Sequence, residues 1–393
     1  MHLFAKCEAF TTSMELRRAG LYPYFMPIEE SHDTYVIIRG EKKIMVGSNN
    51  YMGLTHDPRI IEASKAAIDR YGSGNTGSRF LNGNLDLHDR LEHELAEFVG
   101  MESALVFSTG YQTNLGTLGA LIGRNDSAFV DKLDHASIQD GVRLGFGRVH
   151  RFNHGDQDAL RRLLAAENPD RGKLIAVDGV YSMEGDLADL PSLIETAQEF
   201  GAGLLVDDAH SVGVLGSTGA GTAEHFGVTE DVDLILGTFS KSFASIGGFC
   251  AASAEIIEYL RNHARALIFS ASMPPSAVAT VLKALEIIRT EPQRRERLWK
   301  NTHKMMEGFR SIGFDIGPTE TPIVPILIGP MDKTFQFWRA LFDEGVFTNP
   351  VVAPAVPEGS CRIRTSYMAT HTEEQLDFVL DRVEHIARKL QVV

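Results

Sequence analysis

Short apolar runs alternate with helical stretches through the middle of the chain. The runs cover residues 104–107, 128–130, 174–177, 204–206, 234–236 and 248–251. Strands buried on both faces read as continuous apolar runs, and intervening helices return the chain, so the pattern predicts a mostly parallel sheet. Before it, Leu87, Leu91, Leu95 and Phe98 recur at helical spacing. Residues 35–38 and 43–46 flank Arg39-Gly40-Glu41 and predict a small hairpin. Residues 12–18 predict a helix, and Pro23 and Pro27 among aromatics predict an extended arm. Residues 216–227, rich in glycine, read as a loop.

Past a long helix from about residue 276 to 290, the alternation resumes on a smaller scale. Residues 323–328 predict a strand, with Pro325 marking an edge or bulge. Residues 335–344 read as helix, 348–357 as a proline-punctuated loop and 361–366 as a strand. The last helix opens at a capping box, Thr372 with Gln375, and buries Leu376, Val379, Leu380, Val383, Ile386 and Leu390. The expected division is an N-terminal arm and hairpin over 1–55, a large domain over 56–288 and a small C-terminal domain over 289–393.

Composition narrows the class. At 393 residues, with 44% hydrophobic and 23% charged, the chain is an ordinary globular protein large enough for two domains. A net charge of −14 argues against general nucleic-acid binding, while a polyanionic substrate stays open through local basic patches. Cys7, Cys250 and Cys361 form no CxxC pair, so neither a disulfide framework nor a metal site is expected, and a reducing cytoplasm fits. No apolar run approaches a membrane-spanning length of about 20 residues, which leaves only peripheral membrane contact open.

Two of the apolar runs end in polar clusters. Residues 204–206 end in Asp207-Asp208-Ala209-His210, and 234–236 lead to Thr238-Phe239-Ser240-Lys241. Ligands of open α/β sheets bind outside the carboxyl ends of parallel strands. Singly, such a lysine is ordinarily a solvated surface residue, and such an aspartate a cap or turn residue. Together they suit pyridoxal 5′-phosphate (PLP): lysine for the Schiff base, aspartate for the ring nitrogen, hydroxyls for the phosphate. Ser108-Thr109-Gly110-Tyr111 enters a helix whose free N–H groups could hold that phosphate, although a plain hydroxyl cap explains it equally well. Asn50 lies in a turn-like stretch, GSNNYMGL, and Arg364 on a strand has the planar fork that binds a carboxylate.

The joint pattern resembles the α-oxoamine synthase family of fold-type I PLP enzymes, and the resemblance covers nearly the whole chain. The stretches that carry it are GSNNYMGL, GSGNTGSR, DHAS (134–137), YSMEGD (181–186), DDAH, TFSK, FSASMPP (269–275) and RIRTS (362–366). It implies an aspartate aminotransferase-like α/β fold, with a mostly parallel seven-stranded sheet in the large domain and a smaller α/β C-terminal domain. It implies a Schiff base on Lys241, Asp207 at the ring nitrogen, His135 stacked on the ring, and His210 and Ser182 at the 3-oxygen. Ser108, Gly110, Tyr111, Thr238 and Ser240 would hold the phosphate side. Ser270 would reach the cofactor of a second subunit, which makes the expected assembly a homodimer with shared sites. Asn50 and Arg364 would contact substrate.

Family members join an amino acid to an acyl thioester, carried on coenzyme A or an acyl carrier protein, with loss of carbon dioxide. LYPYFMPIEES, GSRFLNGNLDLH and NPVVAPAVP look most like the soluble bacterial serine palmitoyltransferase branch, implying L-serine and a long acyl chain. Alanine- or glycine-using branches are the alternative. One departure is Val352, where several relatives place an arginine; carboxylate binding then falls to Arg364 alone. A fold-type I aminotransferase would use the same lysine and aspartate but not the acyl-transfer motifs. A non-catalytic subunit is disfavoured by the presence of Lys241, His135 and Asp207. A nicotinamide dehydrogenase is disfavoured by the lack of a GxGxxG turn in the first βα unit.

Overall fold

The computed structural model describes residues 2–393. The N-terminal region forms β1 (Glu30–His32), β2 (Tyr35–Ile38) and β3 (Glu41–Met45). Arg39 and Gly40, both at positive φ, turn β2 into β3, as a tight hairpin requires. The middle of the chain forms β4 (Ser103–Phe107), β5 (Asp126–Asp131), β6 (Arg148–Phe152), β7 (Gly172–Asp178), β8 (Gly203–Asp207), β9 (Leu234–Thr238) and β10 (Gly248–Ala252). The C-terminal region adds β11 (Ile323–Gly329), β12 (Val346–Phe347), β13 (Asn349–Val351) and β14 (Cys361–Ser366).

Two compact units result. One comprises Asn49–Trp299 with Met368–Thr370; the other comprises the chain up to Ser48 with Lys300–Tyr367 and His371–Val393. The units divide the chain near residues 48 and 299, and the hairpin groups with the C-terminal residues. The physical reason is a parallel pairing of β3 with β12, some 300 residues apart in sequence, that no local pattern encodes.

The larger unit holds a seven-stranded sheet in the order β4-β10-β9-β8-β7-β5-β6. All neighbours are parallel except β10, which runs antiparallel to β4 and β9. The carboxyl ends of β4, β9, β8, β7 and β5 consequently open on one edge. Six of the seven strands match the apolar runs. The seventh, β6, reads RVHRF and is the sheet edge, where one flank faces solvent and polar residues are tolerated. One sheet face packs Leu105, Phe107, Val130, Ala176, Leu205 and Leu236 in a continuous core. The alternate residues Val106, Phe129, Ile175, Leu204 and Phe249 are buried on the other face.

Two expected loops contain structure. Within 216–227 lies the helix Thr222–Phe226, whose Thr222 N–H donates to the buried Asp208 carboxylate at 2.9 Å. That cap comes from another segment and leaves no local signal. Within 348–357 lies β13, where Pro350 is accommodated because β13 is an edge of the three-stranded sheet β11-β14-β13. Pro325 likewise lies on an edge, in β11, which also carries a bulge near Gly329. In this smaller unit Phe309, Phe337, Trp338, Ile363 and Tyr367 pack against Leu376, Val379, Val383 and Ile386 of the last helix. That helix starts at the Thr372–Gln375 capping box. Among the described residues, no helix is long and apolar enough to cross a membrane.

Candidate active site

A cavity of about 340 Å³ opens at the carboxyl edge of the seven-stranded sheet. That size falls within the range of about 300–1,000 Å³ typical of small-molecule sites. Gly110, Tyr111, His135, Ser182, Asp207, His210, Thr238, Ser240 and Lys241 line it, so nine of the thirteen residues expected from sequence converge there.

One end is built by the helix Gly110–Leu121. Thr109 caps it, accepting from Gln112 N at 3.0 Å, so the hydroxyl-cap reading of this turn is realised. The helix start still presents the partial positive charge that suits an anion. Gly110 is required there: a Cβ would lie 2.6 Å from Thr238 Oγ1. Thr238 Oγ1 donates to Gly247 O at 3.1 Å and lies 3.0 Å from Ser240 Oγ. Two hydroxyls thus face a helix N-terminus.

Another part of the lining centres on Asp207. Its Oδ2 accepts from Asn114 Nδ2 at 2.6 Å and its Oδ1 from Ala209 N at 3.1 Å. Asn114 Nδ2 also donates to Ser137 Oγ at 2.9 Å, and Ser137 Oγ lies 2.7 Å from His135 Nδ1. His135 caps the helix Ala136–Leu144, its Nδ1 accepting from Ser137 N at 3.2 Å. Burial depresses the His135 pKa; Asp207 opposes the shift and Lys241 adds to it. His135 presents a flat ring to the cavity. Asp178 ends β7 in register with Asp207 and accepts from His135 N at 2.8 Å. Burial, and then the Asp207 charge, hold the Asp178 carboxyl well above the usual carboxylate range.

The remaining expected residues lie elsewhere. Ser108 Oγ donates to Ala271 O at 2.5 Å, and Ser270 Oγ accepts from Gln112 Nε2 at 3.0 Å. Both tie the 268–275 segment to the start of the Gly110–Leu121 helix. Asn50 is buried and closes its own turn, bonding Leu54 N at 3.0 Å and Thr55 Oγ1 at 2.9 Å. Arg364 belongs to the other unit, buried in β14 between Pro325 and Asn349. Val352, in the same unit, packs with Phe335 and Cys361.

Three residues with no assigned role also serve the site. Asn114 anchors Asp207, Asp178 braces His135, and Tyr51 OH lies 2.7 Å from His210 Nδ1. Only Asp178 had a readable signal, since it ends an apolar run as Asp207 does.

The cavity fits PLP by its donor set: anion-binding groups, an anchored carboxylate, a flat ring and a lysine all line it. Fold and site together define a fold-type I pyridoxal-phosphate enzyme. The chain belongs to the aminotransferase class I and II family, whose model matches residues 41–383, in its α-oxoamine synthase branch. It is 51% identical over 390 residues to a serine palmitoyltransferase of Sphingobacterium spiritivorum, covering 99% of this chain and 98% of that one. An 8-amino-7-oxononanoate synthase of Geotalea daltonii is 42% identical over 389 residues, covering 98% and 99%. A solved serine palmitoyltransferase of S. paucimobilis, with PLP and myriocin bound, superposes with a TM-score of 0.97 at 36% identity, covering 100% of both chains.

Proposed function

We propose that the protein condenses L-serine with a long-chain acyl thioester such as palmitoyl-CoA. The products are 3-oxosphinganine, carbon dioxide and free coenzyme A, the first step of sphingolipid biosynthesis. The observation that carries this reading is Lys241 and Asp207 facing one cavity in a chain half identical, end to end, to proteins named serine palmitoyltransferase.

Bound PLP supplies an electron sink for negative charge at the amino acid's α-carbon. Asp207, anchored by Asn114 and Ala209, would hold a proton on the pyridine nitrogen. The Gly110–Tyr111 N–H groups, Thr238 and Ser240 would bind the phosphate, with Ser108 bracing that end. His135 would flank the ring, and His210 and Ser182 would hold the 3-oxygen. Lys241 Nζ takes the α-proton from the amino acid and later returns one to the same carbon. Between those transfers a carbon–carbon bond forms to the acyl carbonyl, the thiolate leaves, and the serine carboxylate departs as carbon dioxide. Arg364, with its planar guanidinium, binds the substrate carboxylate, and Asn50 contacts substrate. The working assembly is a homodimer in which Ser270 of each copy serves the other's phosphate.

Identity of 42% over 98% of the chain to an alanine-using type of synthase favours one second reading, condensation of alanine. Titration of the holoenzyme with serine, glycine and alanine, followed by cofactor absorbance, separates the two. A change that saturates with serine alone supports the proposal; saturation with alanine alone supports the second reading.

A further inference from the structure

His154 follows the edge strand β6 and sits between two carboxylates on different segments. Its Nδ1 lies 3.1 Å from Asp131 Oδ2 at the carboxyl end of β5. Its Nε2 lies 2.9 Å from Asp186 Oδ2 in the turn that follows β7. An ionised carboxylate only accepts, so this geometry calls for a proton on both ring nitrogens. The ring also stands edge-on to Tyr181, with centroids 4.3 Å apart. Burial by itself pushes the His154 pKa down, but hydrogen bonds to and charges on Asp131 and Asp186 outweigh it and raise the pKa to about 10.

Each carboxylate leads to a residue of the cavity. On one side, Asp186 closes the turn that carries Ser182: its carbonyl accepts from Tyr181 N at 3.1 Å, and Gly185 N donates to Tyr181 O at 2.8 Å. On the other, Asp131 N donates to Asp134 Oδ2 at 2.8 Å, Asp134 Oδ1 accepts from Asp178 N at 3.0 Å, and Asp178 Oδ2 accepts from His135 N. Asp134 and Asp178 stand behind Asp131, and burial among like charges pushes both carboxyls well up. An imidazolium at 154 would offset the charges on Asp131 and Asp186, the two carboxylates it touches.

We propose that His154 is a positioning residue, held as an imidazolium, that fixes Ser182 and His135 against the cofactor cavity from behind. The proposal rests on the cofactor reading of that cavity. It separates a charged tie from a neutral packing histidine, which would carry a proton on one nitrogen only.

The test starts with nitrogen NMR of histidine rings in the wild-type holoenzyme at about pH 8, above the ordinary histidine range. The His154 signal is assigned by its loss in His154→Gln. Two protonated ring nitrogens are expected; a neutral ring overturns the proposal. The apo forms of His154→Gln and Asp186→Asn are then titrated with PLP. Each should bind it about tenfold more weakly, the loss of one or two charge-assisted hydrogen bonds, with an unchanged circular dichroism spectrum. The double variant should lose little more than either alone. Wild-type affinity in folded His154→Gln overturns the proposal. Failure of wild-type protein to take up PLP would instead count against the reading of the cavity, and the NMR signal would still decide the state of His154.

Discussion

The phenol oxygen of Tyr51 lies 2.7 Å from Nδ1 of His210, joining positions 159 residues apart inside the buried wall of the larger unit. Tyr51 is wholly buried and its OH also lies 3.4 Å from Asn49 Oδ1. The loop that carries Asn50 is thereby registered against the end of β8, and the Tyr51 hydroxyl helps fix the ring of His210.

Tyr51→Phe keeps the packing and removes that hydroxyl. A buried hydrogen bond is worth about 1–3 kcal/mol, so kcat/KM for the amino acid should fall roughly fivefold to hundredfold as His210 loses this contact. Steady-state kinetics check this; an unchanged kcat/KM would show that His210 is oriented by other contacts.

Asp207 should matter through its charge and Asn114 through Asp207. Asp207→Asn keeps the shape but loses the anion, and a charge-assisted bond is worth about 1.5–3 kcal/mol. Cofactor affinity should drop about tenfold to hundredfold. Asn114→Ala should give a smaller loss, and the two should not add when combined, because they act through one contact. Fluorescence titration of the apo variants measures both.

Gly110→Ala tests the phosphate end. The new Cβ would lie 2.6 Å from Thr238 Oγ1 and 2.7 Å from Thr238 Cβ, and Thr238 is β-branched and bonded to Gly247. Overpacking of this kind costs about 1–3 kcal/mol, so PLP should bind about tenfold to hundredfold more weakly. Equilibrium dialysis against PLP checks it, and wild-type affinity would mean that Thr238 is free to yield.

Acid should weaken the fold through two histidines. His88 accepts from Leu85 N at 3.0 Å, and His371 lies 3.0 Å from Met45 O. Burial lowers both pKa values to about 4, below the ordinary value near 6.5. A depressed folded value means that the unfolded chain binds more protons between these limits. The contribution is therefore complete above about pH 6.5 and is lost as pH falls towards about 4, by roughly 3 kcal/mol for each group at most. Thermal midpoints measured across that window should fall with pH, and His88→Asn or His371→Gln should flatten the slope.

Legibility in the sequence tracked how local each signal is. Asp207 and Lys241 were readable because each follows a short apolar run, and strand ends of parallel sheets collect chemistry. Gly110 was readable because a glycine follows hydroxyls at a helix start. The edge strand β6 was not, because exposure removes the apolar signature that identifies its neighbours. Asn114, Tyr51 and His154 were not, because what defines them is a partner 93, 159 and 23 to 32 residues away. Asn50 shows the converse: its polar side chain was visible, and the structure adds that it also closes its own turn.

The central claim is that Lys241 is the residue through which the protein carries PLP. Borohydride reduction of the holoenzyme, followed by proteolysis and peptide mass mapping, tests it most directly. The prediction is a single modified peptide, containing Lys241, that bears the reduced cofactor and is absent from Lys241→Ala. Modification of another lysine, or none in protein saturated with PLP, would contradict the account.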